Sequence, residues 1–138
     1  MTIEKEDPLF NVINNIRSAT ATLNQATDRA GEAVALVEQL LNKDGVGIPA
    51  SIIVQLVEPP SGREVRLCYC RWKDGFRVVV SETSVGGLTK PWCEWDRSTK
   101  LETVAYLPRL LRRIESEVSD LLRLADRISV EVKEALAG

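Results

Sequence analysis

Two long helical patterns dominate the sequence, and each repeats its apolar residues at coiled-coil spacing. The first consists of two series with a period of seven residues, Leu9, Ile16, Leu23, Ala30, Val37 and Val12, Ala19, Ala26, Ala33, Leu40. The second alternates steps of three and four residues through Val104, Leu107, Leu111, Ile114, Val118, Leu121, Ala125, Ile128, Val132 and Ala135. Stripes of this kind are buried by neighbouring helices. We therefore expect the two helices to pair as an antiparallel, coiled-coil-like bundle.

Start and stop signals bound both helices. Asp7 followed by Pro8 is typical of a helix start, and Lys43-Asp44-Gly45 is typical of a helix end, so the first helix is predicted over residues 8–43. Thr99 with Glu102 forms a capping-box pattern, which predicts a second helix over residues 99–136. Pro108 lies inside that run, and we expect it to kink the helix near that point.

The region between the helices predicts a small antiparallel sheet over residues 51–81. Ser51 to Val57 forms the first strand, which ends in a turn at 59–62, and Val65 to Val80 forms a hairpin. Residues 82–98 contain two adjacent glycines and a proline and are predicted to be a loop. The fold class is therefore α+β: a long helix, a three-stranded antiparallel meander and a second long helix, within a single domain of residues 1–138.

Two registers are possible for the hairpin. A two-residue Asp74-Gly75 loop pairs Lys73 with Phe76, whereas a three-residue Lys73-Asp74-Gly75 loop pairs Trp72 with Phe76. A shift of one residue moves every side chain to the other face of the sheet. We favour the three-residue loop because it collects six apolar side chains on one face, although it also places Arg71 opposite Arg77.

The apolar stripe of the second helix is wider than a two-helix contact requires. Leu110, Leu122 and Leu124 lie beside the main series, which indicates further helices from a second copy. We therefore expect a homodimer that uses the C-terminal helix, with packing contacts at Leu107, Leu111, Ile114, Val118, Leu121, Leu122 and Ile128.

Composition restricts the classes of function. The chain has 138 residues, a net charge of −2, three cysteines and no histidine. The missing histidine removes the commonest general base and metal ligand, which argues against an enzyme. The odd cysteine number and an acidic N-terminus without an apolar segment favour the cytoplasm. No apolar run is long enough to span a membrane.

Cys68, Cys70 and Cys93 allow two interpretations. With Glu94 they could supply four zinc ligands, but structural zinc sites usually have tighter spacings. We favour free cysteines in the core and predict no metal, no cofactor and no catalytic residue.

Arg71, Arg77, Tyr69 and Lys73 could form a basic, partly aromatic patch on the outer sheet face. Such a patch could bind phosphate, nucleic acid or a carboxylate. The slightly negative net charge makes this the second choice. The preferred prediction is a non-enzymatic, cytoplasmic adaptor or accessory subunit that dimerises through its helices and binds a further, unidentified protein partner.

Overall fold

The computed structural model describes residues 7–56, 64–83 and 87–138. Its elements in chain order are α1 (Pro8–Lys43), β1 (Ala50–Val54), β2 (Glu64–Trp72), β3 (Gly75–Thr83), β4 (Thr89–Pro91), a 3-10 turn (Trp92–Glu94), α2 (Arg97–Val104) and α3 (Leu107–Ala137). The α+β class is confirmed. The turn predicted at residues 59–62 lies outside the described residues.

Helix α1 begins and ends where its capping residues place it. The Leu9 amide donates to the Asp7 carboxylate at 2.8 Å, and Pro8 occupies the first turn. At the other end Gly45 adopts a positive φ of 69°, and the Val46 amide donates to the Leu41 carbonyl at 2.9 Å. This is the Schellman arrangement, in which a left-handed glycine lets the chain turn back and satisfy the last free carbonyls.

Among the described residues the sheet has four strands rather than the three predicted, in the antiparallel order β1-β2-β3-β4. Strand β4 pairs Pro91 with Val79 and Thr89 with Ser81, inside the segment 82–98 that was predicted to be a loop. At three residues, β4 is too short to show an alternating pattern. Proline is tolerated there because an edge strand needs only half of its backbone donors.

Both predicted hairpin registers are wrong. The structure closes the hairpin with the two residues Lys73 and Asp74, pairing Trp72 with Gly75 and Arg71 with Phe76. Lys73 takes the left-handed position, with a φ of 56°. Arg71 and Arg77 consequently do not face each other.

This register decides which face of the sheet is buried. Tyr69 pairs with Val78 and Leu67 with Val80, and all four side chains are at most 1% exposed. A slip by one residue would exchange this set for the face that carries Cys68 and Cys70. Burial of the larger apolar set therefore selects the observed pairing.

The core lies between this sheet face and parts of all three helices. Helix α1 contributes Ala30 and Val34, α3 contributes Leu107, Leu110 and Ile114, and the connector before α2 contributes Trp92 and Trp95. The α1 stripe follows residues 30, 34, 37 and 41 here, so Ala33 and Leu40 of the predicted series face outward. A straight helix has 3.6 residues per turn, and a strict seven-residue series drifts off the buried face.

The predicted single helix 99–136 is two helices. Helix α2 begins at Arg97 after Asp96, and α3 begins at Leu107, with Ala105 and Tyr106 between them. Pro108 lies in the first turn of α3, where its missing N–H breaks no hydrogen bond. The proline therefore marks a new helix start and not a kink in a continuous helix.

Helices α1 and α3 do not form the predicted antiparallel pair within the chain. Helix α1 packs mainly on α2 and β3, and α3 packs on β1 and β2. The sheet and α2 take the place of the partner helix and cover one half of each stripe. The other halves have no cover in a single chain.

Candidate functional site

The four residues of the predicted basic patch do not share one surface. Tyr69 is fully buried, and its hydroxyl donates to the Val46 carbonyl at 2.9 Å. Arg71 is exposed on the Tyr69 face of the sheet, whereas Arg77 lies on the opposite face. Lys73 is exposed in the hairpin turn. The structure therefore separates the two arginines that the anion-binding hypothesis needs side by side.

Arg77 is already engaged by neighbouring groups. Its Nε donates to the Glu38 carboxylate at 3.2 Å, and its Nη2 lies 3.2 Å from the Cys93 sulfur. The same Glu38 oxygen accepts a hydrogen bond from the Val78 amide at 2.9 Å. Arg77 thus belongs to the contact between α1 and the sheet.

Helix α1 covers the part of the β3 edge that β4 leaves free. Asn42 accepts from the Phe76 amide at 3.2 Å and donates to the Phe76 carbonyl at 2.8 Å, next to the Glu38–Val78 hydrogen bond. Two side chains thereby replace a paired strand and block that edge against other chains. Nothing in the sequence pattern marked Glu38 or Asn42 for this role.

A groove lies at the hairpin end of the sheet. It has a volume of about 560 Å³ and is lined by Glu38, Asn42, Trp72, Phe76 and Arg77, among others. It is an open groove, and Glu38, Asn42 and Arg77 form the hydrogen bonds that join α1 to β3. We therefore assign these three side chains a structural role.

The cysteines are free thiols in unequal surroundings. Cys68 and Cys70 are half-buried on the outer sheet face, and Cys93 is exposed. Burial raises the pKa of the Cys68 thiol to about 11 and also raises the pKa of Cys70. Thiols that resist ionisation are poor nucleophiles and poor metal ligands. Among the described residues no group of three or more Cys, Asp or Glu is placed to hold a metal ion.

We predict one fast-reacting thiol per native chain. At pH 8 a thiol reagent such as DTNB should modify Cys93 quickly and Cys68 at least about tenfold more slowly, because only thiolate reacts and burial suppresses ionisation. Because burial raises the pKa of Cys68 to about 11, the folded state holds this proton more tightly than the unfolded chain does, and stability should fall as pH rises from about 9 to about 11. Cys93→Ser should remove the fast phase. Three equal rates in the native state would contradict this assignment.

The most extensive unexplained feature is the pair of bare helix ends. We define the α1 arm as residues 8–29 and the α3 arm as residues 119–137, the parts of these helices beyond their last core residues. Eleven large aliphatic side chains on the arms are between 38% and 83% exposed. Val130 lies on the opposite side of α3, and the other ten are Leu9, Val12, Ile16, Leu23, Leu121, Leu122, Leu124, Ile128, Val132 and Leu136. The arms are therefore apolar surfaces without a partner in the single chain.

On each helix the exposed stripe continues the buried stripe. On α1 the steps of three and four residues run from Leu9 through Leu23 to Ala30 and Val34, and on α3 they run from Leu107 and Ile114 to Ile128 and Val132. The same helix face is thus covered at one end and bare at the other. A helix that is surrounded by solvent normally carries polar and charged residues on every side, so a solvated arm would not need an apolar stripe.

The arms leave the sheet at opposite ends. Along α1, Asn42 contacts Phe76 beside the hairpin, and Glu38 contacts Val78, two residues further from the hairpin, so the α1 arm projects away from the hairpin. Just before α3, Tyr106 contacts Gln55 beyond the end of β1 that lies far from the hairpin. Further along α3, Arg113 lines a groove with Ala50, at the hairpin end of β1. The α3 arm therefore projects past the hairpin. Both helices run in the same direction, opposite to the antiparallel arrangement predicted.

Comparison of the chain with protein-family models, with curated proteins and with solved structures finds no match. Within the described part of the chain, no helix combines the length and the apolar character needed to cross a membrane.

Proposed function

We propose that this is a non-enzymatic, self-associating interaction protein whose α1 and α3 arms are covered by a second copy of the chain. The observation that carries the proposal is the continuation of each core stripe onto a bare arm. Contiguous apolar surface of this kind marks an interaction site in a folded protein. Its use as an adaptor or accessory subunit, with a further protein partner, is part of the same proposal.

The exposed area matches what a dimer needs. At roughly 110–120 Å² for a fully exposed large aliphatic side chain, the ten arm residues present on the order of 600 Å² of apolar surface. A standard interface of about 800 Å² per partner that is about 65% apolar uses about 500 Å². A second copy therefore supplies enough complementary surface without any other molecule.

Two further observations support a non-enzymatic, cytoplasmic protein. The chain has no histidine, and burial raises the pKa of Cys68 and Cys70, so neither thiol is activated as a nucleophile. All three cysteines are free, as they are in proteins kept in a reducing compartment.

Sedimentation velocity or light scattering on the full chain tests the proposal. Between about 1 and 50 μM we expect a species of twice the chain mass, because interfaces of this size have dissociation constants from about the micromolar to the picomolar range. A single-chain mass throughout this range would overturn the proposal. The helix content by circular dichroism should also fall on dilution below the dissociation constant, since isolated helical arms of about 20 residues are marginal in water.

A further inference from the structure

We propose that self-association is reciprocal: the α1 arm of each copy pairs antiparallel with the α3 arm of the other copy. This inference rests on the proposed self-association and specifies its geometry. It gives each bare stripe a defined occupant and predicts a closed dimer with one helix pair at each end.

The positions of the arms favour this arrangement. Within one chain α1 and α3 run in the same direction and their arms project from opposite ends of the sheet. A two-fold axis that sets two copies side by side reverses the second copy. The α3 arm of that copy then lies beside the α1 arm of the first, and the two arms run antiparallel. The same axis creates the identical contact at the other end, so all four arms are covered.

Other pairings leave stripes bare or fail to close. A dimer through two α1 arms leaves both α3 arms exposed at its far ends, and a dimer through two α3 arms exposes both α1 arms. Using both like-with-like contacts joins copies into an open chain. Stacking copies head to tail pairs α1 with α3 in parallel and also produces a filament. Among dimers, only the reciprocal antiparallel arrangement buries every stripe.

The two arms match in length and in the spacing of their apolar residues. The α1 arm has 22 residues and the α3 arm has 19, which corresponds to roughly 28–33 Å each. Full antiparallel overlap aligns the seam in four central layers, which pair Val12 with Val132, Ile16 with Ile128, Ala19 with Ala125, and Leu23 with Leu121. The steps of three and four residues coincide along the whole overlap, so each layer contains two apolar residues of similar size.

The flanks of this seam are also compatible. On one side the α1 arm presents Ile13, Thr20 and Thr27, and the α3 arm presents Leu122, Ser129 and Leu136. No charged residue stands on that side, so it can close over the seam without burying an unpaired charge. This explains why Leu122 and Leu136 widen the α3 stripe beyond two-helix spacing.

Disulfide trapping between two different variants tests the pairing. We would prepare Ala19→Cys and Ala125→Cys separately in a Cys93→Ser chain, mix them, and oxidise them under mild conditions. Because Ala19 and Ala125 face each other in the proposed register, the mixture should give a cross-linked species of twice the chain mass, and each variant alone should give little. Ala21→Cys is the matched control: it lies on the opposite side of α1 and should not cross-link to Ala125→Cys.

The outcomes separate this inference from the proposed function. Cross-linking of Ala19→Cys or Ala125→Cys with itself would overturn reciprocal pairing while leaving self-association intact. A double variant that cross-links into a ladder would also overturn it, because the closed dimer predicts no species above two chains. A protein that sediments as one chain would overturn both.

Discussion

Ile128→Asp should convert the dimer into single chains. Ile128 is 48% exposed in the isolated chain and lies at the centre of the α3 arm, in line with the buried Leu107 and Ile114. In the dimer an aspartate here would be a buried charge without a partner, which costs about 3 kcal/mol or more at each of the two sites. The dissociation constant should therefore rise more than about 100-fold. Sedimentation velocity over a concentration series measures this change.

Val130→Asp is the matched control for that substitution. Val130 is also a β-branched aliphatic residue, is 54% exposed and lies only two residues away, yet it faces the other side of the helix. It should leave the dissociation constant within about threefold of the parent value. Equal effects of the two substitutions would mean that general hydrophobicity of the arm, and not the stripe, drives association.

Local backbone signals explain how much of the helical structure could be predicted. The α1 bounds follow from Asp7, Pro8 and the glycine at position 45, each of which acts through the local backbone. Pro108 correctly predicts an interruption of the helical pattern, but the interruption is the start of a new helix and not a kink. Pro108 forbids a hydrogen bond to residue 104, and either a kink or a new helix start satisfies that restriction.

The sheet register could not be deduced because it depends on the strain at one residue. Gly75 is the obvious residue for a positive φ, yet Lys73 takes it, at 56°. The cost of placing a lysine there, on the order of 1 kcal/mol, is smaller than the gain from burying Tyr69 and Leu67 against Val78 and Val80. Packing between residues that are far apart in the sequence therefore outweighs the local turn preference.

The candidate surface was predicted in part. The heptad spacing predicts packing contacts at Leu121, Leu122 and Ile128, which are exposed. It predicts the same for Leu107 and Ile114, which the sheet covers. Sequence spacing does not distinguish a stripe that faces a sheet from one that faces a helix, since both require the same periodicity. Only the tertiary arrangement shows where cover ends and the arms begin.

Trp92→Ala should cause the largest loss of stability in the sheet region. The Trp92 side chain is 2% exposed and lies against α1 near Gly31. Its indole N–H donates to the Thr103 hydroxyl at 3.0 Å and to the Lys100 carbonyl at 3.2 Å, so it joins α1, α2 and the end of β4. Removing a buried tryptophan typically lowers the free energy of unfolding by about 3–5 kcal/mol. Urea denaturation at a fixed protein concentration would measure the loss.

Two controls separate the contributions to this effect. Trp92→Phe keeps an aromatic ring but removes the indole donor, and it should cost about 1–2 kcal/mol, because the Lys100 carbonyl and the Thr103 hydroxyl each lose one hydrogen bond. Trp72→Ala removes a half-buried tryptophan at the hairpin end and should cost less than half as much as Trp92→Ala. If Trp72→Ala proved as destabilising as Trp92→Ala, the hairpin end and not the α1–α2 junction would be the better packed part of the core. In that case the contacts of Glu38 and Asn42 with β3, at the hairpin end, would hold α1 in place more firmly than its contacts with α2 do.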